Sequence, residues 1–206
     1  MKTEVIKAGH PIALNHAVDV LRHGGLVAFP TDTVYGLAAL PFHADSVERL
    51  YIAKGRNSER AIAVLLGDVS QLSLVAGEMT GLAMRLAERF WPGPLTLIVP
   101  RLPTLPDVLT PNETVGVRIP DHPVALALLR MVGPLAVTSA NLSGQENTTT
   151  AQEVMAQLKG RIHMVIDGGR ISGGVPSTVV DCTGPRPVVL RQGPVKESEI
   201  ELLSNL

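Results

Sequence analysis

Five apolar runs of four to six residues recur along the chain, and each stops against proline, glycine or a hydroxyl side chain. They are Gly25-Leu-Val-Ala-Phe29, Ala61-Ile-Ala-Val-Leu-Leu66, Leu95-Thr-Leu-Ile-Val99, Val115-Gly-Val-Arg-Ile119 and Pro134-Leu-Ala-Val137. Runs this short and this apolar read as strands buried on both faces. Segments with helical spacing lie between them. Leu14, Ala17, Val18 and Leu21 follow Pro11; Val47, Leu50 and Tyr51 share a face over 44–53. Leu82, Leu86 and Phe90 do so from about Thr80, and Ala125, Leu128, Leu129 and Val132 from Pro123. Two shorter helices are expected after the 61–66 strand, the second being the one from Thr80. A helix over 151–158 leads to a strand over 163–167, and residues 103–112 and the stretch up to 150 read as loops. Residues 168–174 are glycine-rich and expected to be mobile. Residues 178–181 and 187–191 form a strand pair turning at Gly184-Pro185, ahead of a short acidic helix. Alternating strands and helices with a hairpin at the end predict an α/β fold on a mixed sheet.

With 206 residues, the chain is expected to be one domain over 1–206. Aromatics make up only 3%, so Leu, Val, Ile and Ala must fill the core. A net charge of −1 gives no global attraction for nucleic acid, so any anion site has to be local. A single cysteine, Cys182, rules out an internal disulfide and a multi-cysteine zinc site, and fits a reducing cytoplasm. The first ten residues lack the apolar core of a signal peptide, and no run of 18 apolar residues occurs, so no membrane contact is expected. The histidines are scattered without ligand spacing, and no metal site is expected.

Polar residues gather where strands end. Phe29-Pro-Thr-Asp-Thr-Val-Tyr-Gly-Leu37 places hydroxyls and a carboxylate after the first strand, where open α/β sheets bind ligands. Asp32 as a simple cap explains the same stretch equally well. Lys54-Gly-Arg56 offers a point charge and a bidentate fork suited to a polyphosphate, or cations at a helix C-terminus. Arg118 ends an otherwise apolar strand, so it must be paired or face a cleft. Thr138-Ser-Ala-Asn141, Ser177-Thr178 and Arg191 complete a set of strand-end positions. None looks like a nucleophile, and phosphate-loop, dinucleotide, His-Glu-x-x-His and Gly-x-Ser-x-Gly motifs are all missing. The set describes a site for a phosphorylated ligand that acts by positioning and charge stabilisation.

Six segments, in order, resemble the YrdC family. They are Pro30-Thr-Asp-Thr-Val-Tyr-Gly-Leu37, Lys54-Gly-Arg56, Trp91-Pro-Gly-Pro-Leu-Thr-Leu97, Val117-Arg-Ile-Pro120, Thr138-Ser-Ala-Asn-Leu-Ser-Gly144 and Ser177-Thr-Val-Val-Asp181. The resemblance runs from about residue 10 to 195. It implies an open twisted α/β sheet, mixed parallel and antiparallel, with flanking helices and a concave, positively charged cavity. It also implies threonylcarbamoyl-adenylate synthase activity, a nucleotidyl transfer. ATP, L-threonine and bicarbonate or CO2 are taken up, magnesium rides on the triphosphate, and pyrophosphate leaves. The product feeds threonylcarbamoyladenosine formation in tRNA, through separate tRNA-modifying proteins and with possible tRNA contact.

Carried over by position, the resemblance implies ATP contacts at Lys54, Ser139, Asn141 and Arg191. Arg56 would lie along the phosphates and act with Lys54 in catalysis. Ser58, Thr114 and Thr138 would line the nucleotide side. Thr31, Tyr35, Arg118 and Ser177 would hold threonine. Asn57 and Ala61-Ile62 stand where the family usually has proline and Pro-Leu, and Leu65 where it often has histidine. Two other readings remain open on sequence alone: a divergent nucleotide-binding paralogue, and a non-enzymatic RNA-binding module.

Overall fold

The computed structural model describes residues 1–57 and 61–204. Among these residues ten strands form one sheet. They are β1 (Glu4–Lys7), β2 (Val27–Phe29), β3 (Gly36–Ala39), β4 (Ala63–Leu65), β5 (Leu95–Pro100), β6 (Thr114–Arg118), β7 (Leu135–Ser139), β8 (Met164–Asp167), β9 (Thr178–Asp181) and β10 (Val188–Arg191). Their spatial order is β1-β8-β2-β3-β7-β4-β6-β5-β9-β10. Parallel pairs (β1/β8, β2/β8, β4/β6, β5/β9) mix with antiparallel ones (β2/β3, β3/β7, β4/β7, β5/β6, β9/β10), so the sheet is mixed, with the expected hairpin at its end.

Six helices flank it: α1 (Ala13–Arg22), α2 (Ala44–Lys54), α3 (Gly81–Phe90), α4 (Pro123–Val132), α5 (Ala151–Leu158) and α6 (Glu197–Ser204). Side-chain capping fixes several starts. The hydroxyls of Thr80 and Thr150 accept from Ala83 N and Glu153 N, and the His122 ring accepts from Val124 N. Helices α2, α3 and α5 pack on one face of the sheet, against strand residues such as Val64, Leu95, Leu97, Val117 and Ala136. Helices α1 and α4 pack on the other face, over the β8-β2-β3-β7 side and as far as Leu65 at the end of β4. No helix among the described residues is long and apolar enough to cross a membrane.

Several elements differ from the sequence-based expectation. β1 was not anticipated, because a four-residue strand at the sheet edge with mostly exposed side chains carries no usable periodicity. β3 was not anticipated either. Gly-Leu-Ala-Ala has little intrinsic strand preference, and it becomes a strand because β2 and β7 pair with it on both sides. The first helix after β4 is a 3-10 segment (Val69–Leu74), and α1 starts at Ala13 rather than Pro11. Residues 168–174, expected to be mobile, are tied down: Tyr35 Oη donates to Gly169 O, Ile171 N to Thr149 O, and Gly174 N to Thr33 O.

Candidate functional site

Beyond Leu65, the sheet face bearing α1 and α4 carries no helix over β4, β6, β5 and β9 among the described residues, and there it forms a cleft of about 280 Å³. Strand periodicity builds the floor, since every second residue of each strand points the same way. Ala63 and Leu65, Thr96 and Ile98, Gly116 and Arg118, and Val137 and Ser139 all line the cleft, while Val64, Leu97, Val117 and Ala136 point into the opposite core. Two glycines give the floor its depth. A Cβ at Gly36 would lie 2.8 Å from Val137 Cγ1, and one at Gly116 would lie 3.2 Å from both Ile98 and Thr96.

Arg118 sits at the C-terminal end of β6 and is 5% exposed. Its Nε donates to Gly93 O at 2.9 Å, its Nη1 to Thr33 Oγ1 at 2.9 Å, and its Nη2 pairs with Asp32 Oδ1. Burial works against its charge, and Asp32 is the main group that supports it. The second Asp32 oxygen, Oδ2, is buried with no partner among the described residues. Removing either member of such a pair strands a buried charge, so the pair pins residues 32–33 to the end of β6. Asp32 is therefore an ion-pair partner and not the simple cap that the sequence allowed.

Two more arginines lie on the wall. Arg56 donates from Nη1 to Thr138 Oγ1 (2.9 Å) and from Nη2 to Ala61 O (3.0 Å), which ties the chain after α2 to the end of β7. Arg191 donates from Nε to Ser177 O (3.0 Å) and from Nη2 to Ser177 Oγ (3.1 Å), and Ser177 Oγ is 2.8 Å from Thr96 Oγ1. Among the described lining residues there are three arginines and no carboxylate.

The residues singled out from sequence therefore divide. Arg56, Arg118, Thr138, Ser139, Ser177 and Arg191 come together on the cleft wall. Thr31 lines it too, but its hydroxyl is committed to a turn: it donates to Val34 O at 2.6 Å and accepts from Thr33 N and Val34 N. Lys54 and Asn141 are not on the wall. The Lys54 ammonium lies against Ser139 O, Asn141 O (2.5 Å) and Asn141 Oδ1 (3.4 Å), so it clamps the loop that follows β7. Burial, and Arg56 beside it, push Lys54 down to about 7.

Two other expected positions are displaced from the cleft. Tyr35 is fully buried in the opposite core, where its Oη bridges Gly168 N and Gly169 O, and burial pushes the phenol up to about 12. Thr114 begins β6, paired with Pro100, about 13 Å along the strand from Arg118. Ser58 lies outside the described residues. Thr33 lay in the polar stretch singled out after the first strand but was given no role of its own, and Thr96 and Gly116 were not anticipated at the site. Thr96 had a usable signal: it is the lone polar residue of its strand, and β5 runs antiparallel to the strand carrying Arg118.

Guanidinium forks and hydroxyls on the open half of an α/β sheet are the groups that suit small anionic molecules. The profile of the Sua5/YciO/YrdC family, described as "Telomere recombination", matches residues 19–193, and the chain belongs to this family. It is 47% identical to a Bacillus subtilis protein named threonylcarbamoyl-AMP synthase, over 90% of this chain and 54% of that one. The crystal structure of Pyrococcus abyssi Sua5 complexed with L-threonine superposes with a TM-score of 0.92 at 39% identity, covering 98% of this chain and 61% of that one. E. coli YciO superposes with a TM-score of 0.83 at 30% identity, covering 95% of this chain and 97% of that one. The chain thus spans a little over half the length of the B. subtilis relative.

Proposed function

We propose that this chain makes threonylcarbamoyl-AMP and pyrophosphate from L-threonine, bicarbonate or CO2, and ATP. The observation that carries the reading is the arginine-lined cleft on the open half of the sheet, in a chain closely similar to proteins named for that synthesis. The threonine nitrogen, as the neutral amine, adds to CO2 and gives up one proton to solvent, which leaves a carbamate. A carbamate oxygen then attacks the α-phosphorus of ATP, and pyrophosphate leaves with the electron pair of the broken P–O bond. The carbamate, ATP, the adenylate product and pyrophosphate are all anionic, so fixed guanidinium groups stabilise the phosphoryl-transfer step without needing a protein nucleophile.

In this reading Arg118 offers its two uncommitted N–H groups to the threonine carboxylate, with Ser177 beside it. Arg56, Thr138, Ser139 and Arg191 face the nucleotide. Lys54 and Asn141 act on the end of β7, at Ser139, and on the loop that follows it, as positioning residues. No group of three His, Cys, Asp or Glu among the described residues is placed to hold a metal, so magnesium is assigned to the triphosphate as part of the substrate. The product would pass to other proteins for transfer onto tRNA, in the cytoplasm.

The test is pyrophosphate release from ATP, measured with threonine and bicarbonate together and with each withheld. Release that requires both supports the synthase. ATP binding with no release under any condition moves the assignment to a nucleotide-binding paralogue with another substrate.

A further inference from the structure

Thr96 is the lone polar side chain of β5, a strand otherwise made of Leu, Ile, Val and Pro. It is 4% exposed and lines the cleft floor beside Gly116. A hydroxyl buried in an apolar strand is unfavourable unless it is hydrogen-bonded. Its one partner among the described residues is Ser177 Oγ, at 2.8 Å, just ahead of the parallel neighbour β9.

Three groups therefore meet at Ser177 Oγ. Arg191 Nη2 reaches it at 3.1 Å, and a guanidinium can only donate, so Arg191 fills one of its two acceptor positions. Between the two hydroxyls either can donate. When an anionic oxygen lies against Ser177, the Ser177 hydrogen goes to that anion, and Thr96 becomes the donor that fills the second acceptor position. Ser177 Oγ then has all three of its bonds, and the direction of its hydrogen is fixed. The Thr96 oxygen is itself held in place. Its Cγ2 methyl faces Gly116, where an added Cβ would lie 3.2 Å from it, and a β-branched side chain has few χ1 states to choose from. Thr178 N donates to Pro94 O at 3.0 Å, which keeps the starts of β5 and β9 side by side.

We propose that Thr96 is a positioning residue for the threonine side of the cleft, acting through Ser177. The inference deepens the synthase reading and rests on it. Thr96 makes no bond of its own to the substrate; it directs the Ser177 hydrogen at the threonine carboxylate beside Arg118. Arg191 keeps its second bond, from Nε to Ser177 O at 3.0 Å, whether or not Thr96 carries a hydroxyl, so the nucleotide side does not depend on Thr96.

Isothermal titration calorimetry of L-threonine and of ATP into the full chain tests this. Thr96→Val replaces the hydroxyl with a methyl of similar size, and Thr96→Ser keeps the hydroxyl. Thr96→Val should weaken threonine binding by about fivefold or more and ATP binding by less than about twofold, and Thr96→Ser should recover much of the loss. In a Ser177→Ala background, Thr96→Val should have no further effect on threonine, because its route to the substrate is already gone. The proposal is overturned if Thr96→Val binds threonine as the parent does, if ATP binding falls as far as threonine binding, if Thr96→Ser loses as much as Thr96→Val, or if the loss persists in full without the Ser177 hydroxyl. Each of these outcomes leaves the synthase reading standing. A parent chain that binds no threonine overturns that reading, and this inference with it.

Discussion

The two halves of one sheet face have opposite fates. Over β8, β2, β3 and β7, the helices α1 and α4 cover the sheet, and the strands present Met164, Ile166, Val27, Phe29, Ala38 and Leu135 to them. Over β6, β5, β9 and most of β4 no helix among the described residues covers that face, and the strands present Ala63, Gly116, Thr96 and Arg118, with Ser177 just before β9. The opposite face is apolar along its whole length, against α2, α3 and α5. Strand propensity is therefore not what distinguishes the halves. The pattern at alternate positions decides which half attracts a helix and which is left to bind ligand.

The strongest way to break this comparison is to exchange the kinds of residue on the two halves. Arg118→Met should cut pyrophosphate release by about 100-fold or more, since a charge facing the reacting anions is lost. It should also cost about 3–5 kcal/mol of stability by leaving Asp32 buried without its partner. On the covered half, Leu128→Ala should cost a comparable 2–5 kcal/mol, read by urea unfolding, through a cavity beneath α4. Its kcat should stay at the parent value below the unfolding transition. A kcat that falls with Leu128→Ala as far as it does with Arg118→Met would show that the halves are not functionally separate.

The sequence carried the strands rich in Val, Leu and Ile, along with the four helices that have clear apolar stripes, because burial repeats at the period of each element. It did not carry β3, whose Gly36 is dictated by the Val137 side chain across the sheet and not by local preference. The site was legible as segments but not as faces. In the stretch from Pro30 to Leu37, Gly36 borders the cleft while its neighbour Tyr35 lies in the opposite core, so segment-level similarity placed both together. Lys54 was identified as a charge near the site. Its direction depends on three oxygens of residues 139 and 141, more than 80 positions away, which no local pattern reveals.

A smaller effect tests whether the emptiness of the open half matters as much as its charge. Gly116 lies on the cleft floor, and its new Cβ would be 3.5 Å from the Ala63 Cβ as well as close to Ile98 and Thr96. Gly116→Val should raise the KM of a substrate by about tenfold, a steric loss of about 1.4 kcal/mol. Overpacking should lower stability by about 1–3 kcal/mol. An unchanged KM for both ATP and threonine would mean that neither substrate reaches this part of the floor.

The last prediction concerns β7, the strand at the seam of the two halves, and the clamp on the loop behind it. Lys54 has its folded value pushed down to about 7 from an ordinary 10.5, chiefly by burial and then by Arg56. Below the folded value both folded and unfolded chains hold the proton, so this group gives no slope there. Between the two values the unfolded chain binds one more proton than the folded one, and stability rises with pH, by at most about 1.4 kcal/mol per unit. Urea unfolding between about pH 7 and about pH 9 should show that rise, and Lys54→Met should flatten it. A slope that survives Lys54→Met would assign the proton to another group and leave the clamp ammonium charged throughout.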